Sequence, residues 1–217
     1  MKILVNKLHF PVTTLGYGRR VVIWTQGCSI RCPACINRDT WEVDNAKGIE
    51  VGALLAEIEG WLGTADGVTI SGGEPLDQPP ALGELLAELR QRHRGDILLF
   101  SGYPHEKVFA EHPGIVQLID VLVSEPYRPE AGNKLMLRGS DNQRVFLLTD
   151  LARTRYPADI DSRTWSASRR LDVVVDDGEI WMAGIPRPAS MPALRRRLAD
   201  RGLTCETSEQ AEPRIRA

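Results

Sequence analysis

The sequence predicts an α/β protein built on a parallel sheet. Short apolar segments of strand length alternate with longer segments of helical period between Arg20 and Val123. The run Val21-Val22-Ile23-Trp24 is unbroken by polar residues, as expected for a strand covered on both faces. Glycine-rich or polar turns, Gly72-Gly73, Gly102-Tyr103 and Glu125-Pro126, directly follow apolar runs. In a parallel α/β sheet such turns gather at the carboxyl ends of the strands, where ligands bind.

Residues 2–8 alternate in polarity and are expected as a first strand at an edge. Residues 10–18, with Pro11, Gly16 and Gly18, are expected as a loop, and 20–25 as the buried second strand. Residues 48–62 place Val51, Leu54, Leu55, Ile58 and Leu62 at helical spacing, with Gly63 as a stop. Residues 67–71 form a short strand, and Pro79-Pro80 opens a helix to about residue 94. A strand at 97–100, a short helix at 106–112 and a strand at 119–123 continue the rhythm. A polar turn at 138–144 precedes the apolar 145–148, and 149–168 has no evident period. Residues 171–185 read as a hairpin turning at Asp176-Asp177-Gly178, and 192–201 as a helix with Leu194 and Leu198 inward. The run Arg195-Arg196-Arg197 reads as that helix's solvated face. The organisation expected is a unit at 1–148 with an addition, 149–217, packed on the same domain.

The 217 residues, 42% of them hydrophobic, are enough for one domain with a sizeable core. A net charge of -2 gives no bulk attraction to nucleic acid. No apolar run reaches the length of a membrane span, and residues 1–10 lack a signal-peptide core. The expected location is the cytoplasm, where clustered thiols stay reduced.

Three of the four cysteines, Cys28, Cys32 and Cys35, fall within eight residues directly after the buried second strand. Thiolates at these spacings can converge on one iron–sulfur cube and leave one iron without a cysteine ligand. Buried hydrophobic cysteines, a disulfide framework and zinc are the alternatives. Zinc usually takes four ligands, and His9 and His93 could reach the loop only through folding. Gly27 and the Gly72-Gly73 pair let backbone approach a bulky ligand. Arg31 and Arg38 could offset an anionic cluster but read equally as surface arginines. Cys205 reads as a lone thiol.

Cys28-x-x-x-Cys32-x-x-Cys35 resembles the cluster motif of the radical S-adenosylmethionine (SAM) enzymes, and Gly72-Gly73-Glu74-Pro75 resembles their second signature, in the same order. Trp24-Thr25-Gln26-Gly27-Cys28, Asn37 with Thr40-Trp41, Ser101-Gly102-Tyr103, the 119–123 strand and the 138–144 turn resemble the activating enzymes of anaerobic ribonucleotide reductase. The likeness spans residues 1–148.

The resemblance implies a partial (β/α)6 barrel, open on one side, followed here by a C-terminal hairpin-and-helix addition. It implies a [4Fe–4S] cluster held by Cys28, Cys32 and Cys35, with SAM on the fourth iron through its amino and carboxylate groups. Gly72, Gly73, Glu74 and Pro75 would meet the methionine amino group, with Ser101, Ser124 and Arg138 in the rest of the cofactor envelope. Reductive cleavage of SAM would give methionine and a 5'-deoxyadenosyl radical that abstracts hydrogen. The substrate implied is a glycyl-radical enzyme, or else a peptide or small molecule of a biosynthetic pathway. A flavodoxin or ferredoxin is the kind of electron donor implied. The chain differs from the activases in having Ile36 where an aromatic often follows the last cysteine, and Ile30 where a histidine tends to stand. It also continues some way past their usual end.

Overall fold

The structure is a computed structural model describing residues 1–165, 171–176, 179–187, 190–204 and 207–210. Cys205, the hairpin tip at Asp177-Gly178 and the tail from residue 211 lie outside the described residues. The strands are β1 (Lys2–Val12), β2 (Arg20–Thr25), β3 (Gly48–Glu50), β4 (Gly67–Gly72), β5 (Asp96–Phe100), β6 (Val121–Ser124), β7 (Arg144–Leu147), β8 (Leu171–Asp176) and β9 (Glu179–Gly184). The helices are α1 (Val51–Leu62), α2 (Pro79–Arg92), α3 (His105–Glu111), α4 (Pro113–Val116), α5 (Asp150–Arg155) and α6 (Ser190–Ala199).

The first seven strands form one sheet in the order β3-β1-β2-β4-β5-β6-β7. β2, β4, β5 and β6 run parallel, while β1, β3 and β7 add antiparallel strands at the flanks. The α/β class with a mostly parallel central sheet is as expected, four of its strands running parallel. Two local readings are corrected. The first strand continues to Val12 and is not an edge, because Gly48–Glu50 pairs outside it. Those three residues are therefore strand, and the helix begins only at Val51. β8 and β9 form the expected hairpin, paired to each other.

The unbroken apolar run of β2 is explained by cover on both faces. Val21 and Ile23 join Ile70, Leu99 and Leu122 beneath α1 and α2, whose Leu54, Leu55, Ile58, Leu82, Leu85 and Leu89 are buried. Val22 and Trp24 face the other way, against Val12, Leu15, Ala183 and Ile185. Residues of β9 thus complete the second layer. Trp181 stacks on His9 at 4.0 Å between ring centroids and meets Trp24 edge-on at 5.5 Å. Asp172 accepts hydrogen bonds from Thr13 N (2.6 Å), Thr13 Oγ1 (2.8 Å) and Thr14 Oγ1 (2.9 Å), which anchors β8 to the end of β1. No helix among the described residues is long and apolar enough to cross a membrane.

A buried ion pair locks the amino ends of the parallel strands. Arg20 and Asp96 both have 0% exposure, and the guanidinium meets both carboxylate oxygens, at 3.1 and 2.9 Å. Arg20 Nε also donates to Thr69 Oγ1 (2.6 Å), while Tyr156 Oη donates to Asp96 (2.9 Å), so three strands and the segment after α5 meet at one point. Gly67 leaves room for it, since a Cβ there would lie 2.4 Å from Arg20 Nη1. Removing one member of such a pair leaves an uncompensated buried charge, which typically costs about 3–5 kcal/mol. Asp96→Ala is therefore expected to lower the unfolding free energy by about that amount in urea denaturation. A loss below about 1 kcal/mol, the scale of an exposed pair, would show that the pair does not organise this end.

Candidate functional site

The opposite, carboxyl ends of β2, β4, β5 and β6 open onto a cavity of about 880 Å³ lined by Cys28, Cys32, Cys35, Gly72, Gly73, Glu74, Ser101, Gly102 and Glu125. β2 delivers the cysteine loop there. Gly27 turns the chain at φ +96°, a conformation that L side chains rarely adopt, and Arg31 and Ala34 also take positive φ. The loop then folds back on itself. Gly27 N donates to Thr40 O (2.8 Å), Cys28 N to Trp41 O (3.0 Å) and Cys35 N to Cys32 O (3.2 Å). Gln26 fastens this return. Its side chain donates to Glu42 O (2.6 Å) and Asp39 O (3.2 Å) and accepts from Asn6 (2.7 Å) and Lys47 (2.9 Å). Its place directly after the apolar β2 run was the available signal, but a glutamine at a turn gives no indication of which carbonyls it will bind.

The Gly72-Gly73 pair fits the loop to the sheet. A Cβ on Gly72 would lie 2.2 Å from Thr25 N, and one on Gly73 would lie 2.0 Å from Gly27 O. The closeness serves hydrogen bonds from Gly73 N to Thr25 O and from Glu74 N to Gly27 O, both 2.9 Å. Glu74 is 1% exposed. One carboxylate oxygen accepts from Leu76 N (3.0 Å) and Ser101 Oγ (2.9 Å), the other from Gly102 N (2.7 Å). Burial pushes its pKa up to about 7, against the pull of those donors. Such a carboxylate gains from any cation brought beside it. A second network, from Ser29 N to Asp77 (2.7 Å) and from Tyr103 Oη to Asp77 (2.8 Å), ties the loop to the end of β5.

Burial raises the pKa of all three cysteines, that of Cys28 to about 11. Backbone N–H groups act in the opposite direction: Arg31 and Ile30 at Cys28, Tyr127 at Cys32, and Asn37 at Cys35, 3.4 Å from Sγ. Donors of this kind favour thiolates, the form that ligates metal. Cys28, Cys32 and Cys35 line one cavity, as ligands of a single metal centre must.

The other named residues divide. Ser101 reaches the cavity and holds Glu74. Pro75 is buried at the start of a 3-10 turn, Pro75–Asp77, and does not line the cavity. Ser124 is fully buried, with no hydrogen-bond partner for Oγ among the described residues; the next residue, Glu125, lines the cavity instead, at φ +82°. Arg138 is 1% exposed and turned away from the cavity. It donates to the carbonyls of Met136, Gln143 and Ile160 and pairs with Asp161 at 3.2 Å, bracing the loop whose Gly139 and Gln143 do reach the cavity. Val173, Trp181, Met182, Leu194 and Ser208 of the C-terminal addition also line it, and Ser208 Oγ donates to Ile36 O (2.7 Å).

The sequence matches the 4Fe-4S single cluster domain family over residues 14–146. It is 31% identical over 140 residues to the anaerobic ribonucleoside-triphosphate reductase-activating protein of Enterobacteria phage T4, covering 62% of this chain and 88% of that protein. The protein of the same name from Escherichia coli (strain K12) is 30% identical over 146 residues, 63% of this chain and 94% of its own. The pyruvate formate-lyase-activating enzyme of Staphylococcus aureus (strain USA300) is 42% identical over 84 residues, 36% of this chain and 34% of that enzyme. The chain therefore belongs to the 4Fe-4S single cluster domain family, as an activase-like radical SAM enzyme whose cofactors are a [4Fe–4S] cluster and SAM.

Proposed function

We propose that Cys28, Cys32 and Cys35 ligate three irons of the cluster, that bound SAM is cleaved reductively, and that the radical takes a hydrogen atom from a glycine of a glycyl-radical enzyme. The observation that carries this reading is that the three thiols share a cavity with the buried, hydrogen-bonded Glu74. When bound, the cofactors supply the radical chemistry: one electron breaks a carbon–sulfur bond of the sulfonium and releases methionine with the 5'-deoxyadenosyl radical. The remaining tasks fall to the protein. Backbone N–H groups stabilise the thiolates. Glu74 offers a carboxylate to the amino group of SAM, oriented by Ser101 and Gly102. Gly72 and Gly73 set the distance between this carboxylate and the cysteine loop. Ile30 and Ile36 help to keep water from the cavity they line. Arg138 enters as a structural brace, and Ser124 as the buried residue that precedes Glu125 at the cavity. The seven-stranded sheet is read as the wall of an open partial barrel.

The names of the relatives support a glycyl-radical partner. One observation favours the second substrate class, a peptide or small molecule: the hairpin and α6, which lie beyond the matched span, line the same cavity. A flavodoxin or ferredoxin in the cytoplasm fits either reading as the electron donor.

Anaerobic reconstitution is expected to give about four iron and four sulfide per chain, and reductant with SAM to release 5'-deoxyadenosine. Cys32→Ala should abolish that release; zinc without sulfide in the wild type would contradict the assignment. Gly73→Ala should also sharply reduce iron content, because its methyl group would sit 2.0 Å from Gly27 O. Gly83→Ala on α2, where a Cβ meets nothing within 4 Å, should retain full cluster content. Equal iron in the two glycine variants would refute the role given to the glycine pair. Incubation with candidate partners, scored for a glycyl radical by EPR or for a mass change, separates the two substrate classes.

A further inference from the structure

We infer that β8, β9 and α6 form the substrate-recognition wall of the cavity, and that the hydrogen donor presents an apolar side group to it. The inference deepens the functional reading above and rests on it. The cavity has two chemically different sides. The cysteine loop and the segments that follow β4 and β5 contribute Cys28, Glu74 and Ser101. Every described residue that β8, β9 and α6 contribute is apolar or aromatic and none is charged, Val173, Ile180, Met182, Met191 and Leu194 among them. A wall without a titratable group takes no part in proton transfer. Its chemistry is that of a pocket lining that selects apolar groups.

The hairpin divides its residues by the two-residue period of a strand. Trp181 and Ala183 pack with Trp24 on β2. Ile180 and Met182 alternate with them, and Val173 stands opposite Met182 in the ladder, so these three share the other face. Val173 and Ile180 line the cavity yet are 55% and 52% exposed. Large apolar side chains left uncovered in this way gain from contact with an apolar ligand. The polar side says what that ligand is. The hydrogen donor must lie in the cavity where the radical forms, because a reactive intermediate survives only away from water. A substrate in this one cavity meets the cofactor side with its reacting carbon and the apolar wall with the rest. The wall is seated firmly enough to select. Asp172 on β8 accepts from Thr13 N at the end of β1 (2.6 Å), and beyond α6 Ser208 Oγ donates to Ile36 O, beside Cys35 (2.7 Å).

The test is an NMR binding titration of the reconstituted full chain with SAM present and no reductant. Two pairs of probes are compared: N-acetyl-leucyl-glycyl-leucinamide against N-acetyl-seryl-glycyl-serinamide, and 4-methylpentanamide against 3-hydroxypropanamide. The apolar member is expected to bind at least about tenfold tighter than its polar counterpart. Val173→Thr combined with Ile180→Thr keeps branched side chains on the strand but adds hydroxyls, and should remove most of that preference. Leu203→Thr is the control: Leu203 is 56% exposed but lies outside the cavity, and its replacement should leave the preference unchanged. Preference in the peptide pair alone identifies a peptide as the carrier of the apolar group; preference in the small pair identifies a small molecule. Preference in neither pair, or a preference that survives the double variant, overturns the inference. Loss of iron from the double variant also overturns it, because the wall would then serve only to support the cluster. Absence of a cluster from the wild type would instead defeat the underlying functional reading.

Discussion

The contact on which the site depends is the one between Gly73 and Gly27. Two strand ends approach so closely that a single methyl group at Gly73 would lie 2.0 Å from a carbonyl oxygen of the cysteine loop. The bonds from Gly73 N to Thr25 O and from Glu74 N to Gly27 O make that approach favourable. One consequence is positional: the thiols and the Glu74 carboxylate reach one cavity from different strands because their backbones are joined. A second is electrostatic. A buried carboxylate and three half-buried thiols are drawn together, and each is met by N–H or O–H donors that partly compensate. An arrangement of buried, donor-ringed acidic groups awaits cations, and it is this complementarity that suits an iron cluster and an amino group.

The two ends of the parallel strands carry different tasks. At the amino ends Asp96 is met by Arg20, Arg155 and Tyr156, all within the chain. At the carboxyl ends the charges are left incomplete by the protein alone. A fold that fixes one edge of its sheet with an internal ion pair can hold strained backbone at the other, and the positive φ angles of Arg31, Ala34 and Glu125 all occur there.

Much of this was legible in the sequence. Cys28, Cys32 and Cys35 were read as ligands of one metal centre, and the fold brings them to one cavity; the unbroken β2 run announced a strand covered twice. The Gly72-Gly73 pair was read as room for a ligand, but its first use is room for Gly27 and Thr25. The spacing of the cysteines left zinc open, because sequence distance does not fix sulfur–sulfur distance; the match to the 4Fe-4S single cluster domain family is what favours iron. Gly48–Glu50 looked helical because its neighbours are, and only the pairing with Lys2, Ile3 and Leu4 makes it a strand. Arg138 stood in a motif-like polar turn, yet its role is decided by carbonyls at Gln143 and Ile160 whose approach no local pattern encodes. Gln26 acts through carbonyls brought close by the return of the loop.

The central claim is that three cysteines leave one iron of the cluster open to SAM. Mössbauer spectroscopy of protein reconstituted with isotopically enriched iron tests it most directly. The account predicts that one iron of the four responds to added SAM with a raised isomer shift, as its coordination expands, while the other three are unchanged. Four irons that stay equivalent before and after SAM would contradict it.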